Sequence, residues 1–296
     1  GTIKLDGNYP VGTGNVALGD TALDSITSGG DYNIAIGDSA GAALTVGDES
    51  VAVGFEALMT VTSGAENVGV GYRALKLTTG NSNVAVGKNA LTTNSSGSNN
   101  TALGTSALLN STTASNNTAV GHQSLKENTT GSANTAVGLN GLAANTTGVR
   151  NVSVGAQALD ANTTGDDNVA LGYGALSANT TASSNTAVGR NSLVANTTGG
   201  TNVAVGTYAL TANTTAINNT AVGYQAGYSN TTGNRSVFLG HSAGYSTTTA
   251  AYTTAIGIDA GRSLTTSNGT FVGANAGRNT TGDANTFLGC NNAGYG

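Results

Sequence analysis

A chain of 296 residues in which only 8% are charged, with 45 glycines, one proline and no tryptophan, departs from the ordinary soluble domain, where about a quarter of residues carry charge. A net charge of −5 provides no basic face for nucleic acid or an anionic bilayer, the single Cys290 allows no internal disulfide, and no apolar run approaches the ~18 residues of a membrane span. Disorder is excluded as well, because the 38% of hydrophobic residues recur with a fixed period.

Residues 1–14 precede that period and read as a leader strand or linker. Gly1 to Leu5 alternates, with Ile3 and Leu5 on one face, and Pro10 is the chain's only proline. Parallel ladders use almost every backbone N–H, so a proline fits before the repeat and not within it. From Asn15 onward one phrase recurs. A glycine closes a short apolar run at Gly19, Gly37, Gly54 and so on to Gly289, seventeen times; the spacing is 17 residues from Gly87 to Gly257 and 16 to 18 elsewhere. Such a unit is too short for a helix pair or a propeller blade. It predicts an all-β parallel β-solenoid of seventeen coils over residues 15–296. Coils stacked about 4.8 Å apart would make a rod roughly 80 Å long.

Each coil divides into readable parts. The run before the glycine, such as Thr118-Ala119-Val120, predicts a short strand. Ala and Leu three and four residues past the glycine, as at Ala158-Leu159 and Ala209-Leu210, predict a second short strand facing inward. Asn stands before the first strand in thirteen copies, among them Asn100, Asn117, Asn134, Asn151, Asn168, Asn185, Asn202 and Asn219. A ladder of amide side chains bonding neighbouring coils is the structural reading of that column. The N-T-T segment repeats at Asn128, Asn145, Asn162, Asn179, Asn196, Asn213, Asn230 and Asn279. It reads as an exposed turn, and also as a column of N-glycosylation sequons.

Neighbours along a strand point to opposite faces. Ala119 therefore faces the coil interior, with Leu125 of the same coil, and Val120 faces the other way. Late in the chain the Ala position becomes Phe238, Phe271 and Phe287, while the Leu position shrinks to Gly244, Gly277 and Ala293. That exchange is what a shared close-packed interior requires. It is imperfect at Ala221 with Gly227 and at Ala255 with Gly261. The large apolar residue on the other face needs a cover. No helix is predicted to supply one, so the expected cover is another copy of the chain, most simply in a trimer.

"NTAVG" at Asn117–Gly121, Asn134–Gly138, Asn185–Gly189 and Asn219–Gly223, in a repeat that goes on with "xxAL" or "xxSL", resembles the head repeats of trimeric autotransporter adhesins and the repeats of bacteriophage tail-fibre proteins. The resemblance implies a left-handed parallel β-roll, trimeric in the adhesins, that serves as an extracellular rod or binding head. The adhesin repeat is generally shorter, and the extra residues here fall in the N-T-T-G segment.

No constellation of residues predicts catalysis, a cofactor or a metal site. "GHSAG" at Gly240–Gly244 and "GDSAG" at Gly37–Gly41 match the nucleophile elbow of hydrolases. Both fill the ordinary slot after the repeat glycine, without the strand-to-helix turn that chemistry requires. The only histidines, His122 and His241, are seven coils apart, and the acidic pairs Asp48-Glu49 and Asp166-Asp167 fall in loops. The expected function is structural: a rod or head of an extracellular fibre on a virion or cell surface, self-associating as a homotrimer or an end-to-end filament through the leader and the open last coil. The alternative is a ligand-binding surface protein. A glycan or receptor would then meet variable residues such as Tyr72, Tyr173, Tyr208 and Tyr224, or ice would meet the stacked Thr pairs.

Overall fold

A computed structural model describes residues 11–265, 267–282 and 284–291. Residues 1–10 of the leader, and Ala293, lie outside the described residues. The chain divides into two compact units, Gly1–Val149 and Arg150–Gly296. The described residues hold seventeen three-residue strands and no helix. The first unit contains eight, from β1 (Val16–Leu18) to β8 (Thr135–Val137), and the second nine, from β9 (Val152–Val154) to β17 (Thr286–Leu288). Within each unit every strand pairs in parallel with the next in sequence, as Thr118, Ala119 and Val120 do with Thr135, Ala136 and Val137. The architecture is the parallel β-solenoid that the period predicts.

One coil shows why the sequence folds this way. In Thr118-Ala119-Val120 the middle residue is fully buried and its neighbours are partly exposed. Gly121 then turns the chain at φ 132°, in a region open to glycine, and a Cβ there would stand 2.7 Å from the carbonyl carbon of Gly138 in the next coil. The same column is glycine in all seventeen copies.

Among the described residues the expected second strand is absent. The Ala-Leu segment is a tight turn in which the residues two and four past the glycine have left-handed backbone, as at Gln123 (φ 57°) and Leu125 (φ 50°). Leu rarely adopts that conformation, at a cost of roughly 1–3 kcal/mol. Here the leucine is fully buried, and burying such a side chain returns about 1.5–3 kcal/mol. The turn still takes part in coil-to-coil bonding: the Leu125 N–H donates to the Gly141 carbonyl at 3.0 Å and the Glu127 N–H to that of Ala143 at 3.0 Å.

The interior of a regular coil is small: one Leu and two Ala or Ser positions, flanked by two asparagines. Near the C-terminal end the aromatic rings change that pattern. The Phe238 ring lies against two glycines, its own coil's Gly244 and Gly227 of the coil before, where a Cβ would come within 2.8 Å of the ring. Phe271 lies in the same way against Gly277 and against Gly261 of the preceding coil. The exchange of large for small therefore runs between coils as well as within one. That accounts for Gly227 beside Ala221 and Gly261 beside Ala255. Gly41 has lost its leucine with no phenylalanine to replace it, and an apolar cavity of about 10 Å³ remains there, lined by Leu23, Leu44, Leu58 and Val61 among others.

Candidate functional site

The two asparagine columns are interior features. In the first, the Asn117 N–H donates to Asn100 Oδ1 at 3.0 Å, and Asn134 repeats the bond to Asn117 at 2.9 Å. In the second unit Asn168, Asn185, Asn202 and Asn219 each donate their backbone N–H to the side chain of the asparagine one coil back, from Asn151 onward, at 2.9–3.0 Å. The amide nitrogen of each bonds a carbonyl of its own coil, as Asn151 Nδ2 does to Gly165 O at 2.8 Å.

The N-T-T asparagines form a second ladder, parallel to the first. Asn145 Nδ2 donates to Asn128 Oδ1 at 2.7 Å in the first unit. In the second, Asn179 donates to Asn162, Asn196 to Asn179, Asn213 to Asn196 and Asn230 to Asn213, at 2.8–3.3 Å. Both ladders converge on one carbonyl per coil: Gly199 O accepts from Asn185 and Asn196, each at 2.9 Å. These seven asparagines, Asn128 to Asn230, are fully buried. The exposed turn expected from N-T-T-G is therefore corrected. The amide nitrogen to which a glycan would be joined is, in the folded coil, an interior donor with a partner. Asn279 differs from the rest. It stands one residue out of register and is exposed, and Thr280 takes the interior place. The threonines that follow also divide. The first of each pair donates its hydroxyl to the next coil, as Thr163 does to Thr180 O at 3.0 Å, and the second, as at Thr164, is exposed.

Two outer surfaces remain. One, in each unit, is the sheet face made by the first and third residues of its strands. All are Val, Ile, Leu or Thr, and none is charged. The third position is apolar in every strand; Leu171 and Leu239 are 46% and 43% exposed. The other is the turn that runs from one to five residues past the closing glycine. Phe55, Tyr72, Tyr173, Tyr208, Tyr224, Tyr228 and Tyr245 all stand there, with Lys76, Lys88, Arg190, Arg262 and Arg278.

In the first unit this turn carries Phe55 stacked on Tyr72 (centroids 5.5 Å apart), with the Arg73 guanidinium 4.9 Å over the Tyr72 ring. Glu56 bonds Arg73 at 2.7 Å and Lys76 at 2.8 Å. The Lys76 hydrogen bond is the main reason its carboxyl lies below the usual range. In the second unit five rings associate. Tyr224 stacks on His241 (5.2 Å) and Tyr228 on Tyr245 (5.1 Å), while Tyr208 meets both Tyr224 and Tyr228 edge-on at 6.4 Å. Arg190 lies over Tyr208 at one end (5.8 Å) and Arg262 over Tyr245 at the other (5.0 Å). Tyr173 is exposed but stands outside this association. Periodicity reasoning marks Tyr208 and Tyr224 and misses Tyr228 and Tyr245. The missed signal is the recurrence "AGY" at Ala226–Tyr228 and Ala243–Tyr245.

Cys290 is exposed, and among the described residues no three His, Cys, Asp or Glu side chains gather where a metal ion could be held. Among the described residues no helix is long and apolar enough to cross a membrane. Compared with protein-family models and with curated proteins, the sequence matches neither a family nor a relative.

Proposed function

We propose that this chain is a structural protein, the rod or head of an extracellular fibre on a virion or cell surface, and that it associates with copies of itself as a homotrimer. The observation that supports this most is the uncharged outer sheet face. In the second unit its third-position column runs Val154, Leu171, Val188, Val205, Val222 and Leu239 without a polar interruption. An exposed apolar sheet face of this regularity favours a partner with the same regularity, and a second copy of the chain has it.

Light scattering in native buffer tests the reading. The expected mass is about three times the 28.8 kDa of one chain, and a monomer at micromolar concentration overturns the trimer. Negative-stain images separate a discrete particle from an end-to-end filament. The ring cluster from Tyr208 to Tyr245 favours a second reading, a ligand-binding surface protein, in which the solenoid presents a recognition surface.

A further inference from the structure

We propose that the ring cluster of the second unit binds an acidic polysaccharide, laid along the coils between Arg190 and Arg262. This rests on the second reading above and names its ligand class.

Three features point to a ligand. First, the composition is that of a recognition surface. Four tyrosines and a histidine are held together on adjacent coils, and tyrosine supplies large contact area with little rotamer freedom to lose. Second, the polar groups are available. Tyr208, Tyr228 and Tyr245 are half-buried and Tyr224 is exposed, and none of the four makes a side-chain hydrogen bond among the described residues. Tyr224 is 44% exposed. Third, the charge is placed for an anion. Arg190 is exposed and has no acidic partner among the described residues, in a chain whose net charge is −5. A guanidinium recognises a carboxylate in a bidentate fork. Arg262 is held by Asp259 at 2.8 Å and closes the opposite end.

Periodicity selects a polysaccharide over a peptide. In two columns a ring is stacked on a ring of the next coil, Tyr224 on His241 at 5.2 Å and Tyr228 on Tyr245 at 5.1 Å, close to a strand spacing of about 4.8 Å. An extended chain of pyranose rings advances by about one such step per sugar. A glycan running parallel to the coil stack thus offers a ring and a hydroxyl set at each level, with uronate carboxylates at the arginines. A peptide along the same line would stay out of step.

Calorimetry on the intact chain tests this with three probes: a galacturonic acid octasaccharide, maltooctaose and octaglutamate. The uronate oligomer is expected to bind, more weakly as salt rises, with maltooctaose at least about tenfold weaker because it lacks the charge-assisted bonds. Arg190→Gln should weaken uronate binding about tenfold, and Tyr224→Ala with Tyr228→Ala should abolish it. The pair Tyr224→Phe with Tyr228→Phe removes only the hydroxyls and should weaken binding in a chain whose rings still stack. Tyr72→Ala, in the first unit, should change nothing. No uronate binding, equal binding by octaglutamate, or unchanged binding by the Tyr224→Ala, Tyr228→Ala protein overturns the proposal. A trimer that binds no uronate sinks this inference alone, and a monomer that binds it sinks the trimer alone.

Discussion

The coils around Leu193 and those around Phe238 belong to the same unit and fill the same interior in different ways. Around Leu193 every coil supplies its own leucine, its own alanine and its own ladder asparagine. Around Phe238 one ring serves two coils, both of which carry glycine where leucine stood. The asparagine ladder stops at the same place. Asn230 is its last member, Thr247 follows, and Asn230 Oδ1 is buried with no hydrogen-bond partner. The difference shows that the repeat conserves volume and hydrogen-bond balance rather than residue identity. It also shows that the second of these is incompletely met where the pattern changes.

The largest expected effect breaks the aromatic solution. Phe238→Ala should cost about 3–5 kcal/mol, read from the denaturant midpoint. Adding Gly227→Leu and Gly244→Leu should recover most of that loss, because leucine already occupies this left-handed position in the regular coils, as at Leu210 (φ 49°). Either leucine placed beside an intact Phe238 should destabilise instead. If the triple variant is no more stable than Phe238→Ala, the two packings are not alternatives for one space.

A smaller effect separates the middle of the ladder from its end. Within the ladder, Asn196→Ala takes the donor from Asn179 Oδ1 and one of the two acceptors from Asn213 Nδ2, which keeps Ala216 O, whereas Asn230→Ala takes a ladder partner from Asn213 alone; each also removes one donor from its own coil's carbonyl. Each buried group left unpaired costs about 1–3 kcal/mol. Asn196→Ala should therefore be the more damaging by at least about 1 kcal/mol. Equal losses would mean that the amides act singly and not as a ladder. Conversely, Thr247→Asn supplies the missing donor beside Asn230 Oδ1 and should stabilise by about 0.5–1.5 kcal/mol. A loss on that substitution would show that the coil around Phe238 has no room for the amide.

Much of this was legible in the sequence. The period, the parallel stacking and the alternation of Ala119 inward with Val120 outward follow from spacing and strand geometry. The second ladder was not legible. Asn-Thr-Thr-Gly has turn composition, and composition does not tell whether an amide points out to water or in toward the next coil. Asn279 shows the same limit, since its motif matches the others while its register differs by one residue. The turn at Leu125 was misread for a related reason: leucine is not a residue from which left-handed backbone is inferred, and only its burial explains it. On the surface, the slots one and two past the glycine were visibly variable. That rings five residues past it would close the cluster depends on the tightness of that same turn.

The smallest effect concerns the position five residues past the glycine, which holds Tyr228 and Tyr245 in one region and Asp160 in the other. Burial pushes the Asp160 carboxyl above its usual range, against hydrogen bonds from its own N–H and that of Ala161. A raised folded pKa means the fold disfavours the carboxylate. The penalty is full at neutral pH and vanishes as pH falls below the ordinary carboxylate value. Asp160→Asn should therefore stabilise at pH 7 by less than about 1 kcal/mol, the group being half-exposed, and should make no difference below about pH 3. Asp167 has the opposite sign. Its bidentate pair with Arg150, at 2.6 and 2.9 Å, lowers its pKa. Its contribution is present above the ordinary carboxylate value and is lost as pH falls through the depressed one, so Asp167→Asn should destabilise slightly at pH 7. Denaturant midpoints of the two variants should start on opposite sides of the parent at pH 7; the Asp160→Asn curve should meet the parent's by about pH 3, and the Asp167→Asn curve should close on it only as pH falls below the ordinary carboxylate value. Curves that stay parallel to the parent would show that neither carboxyl is coupled to folding.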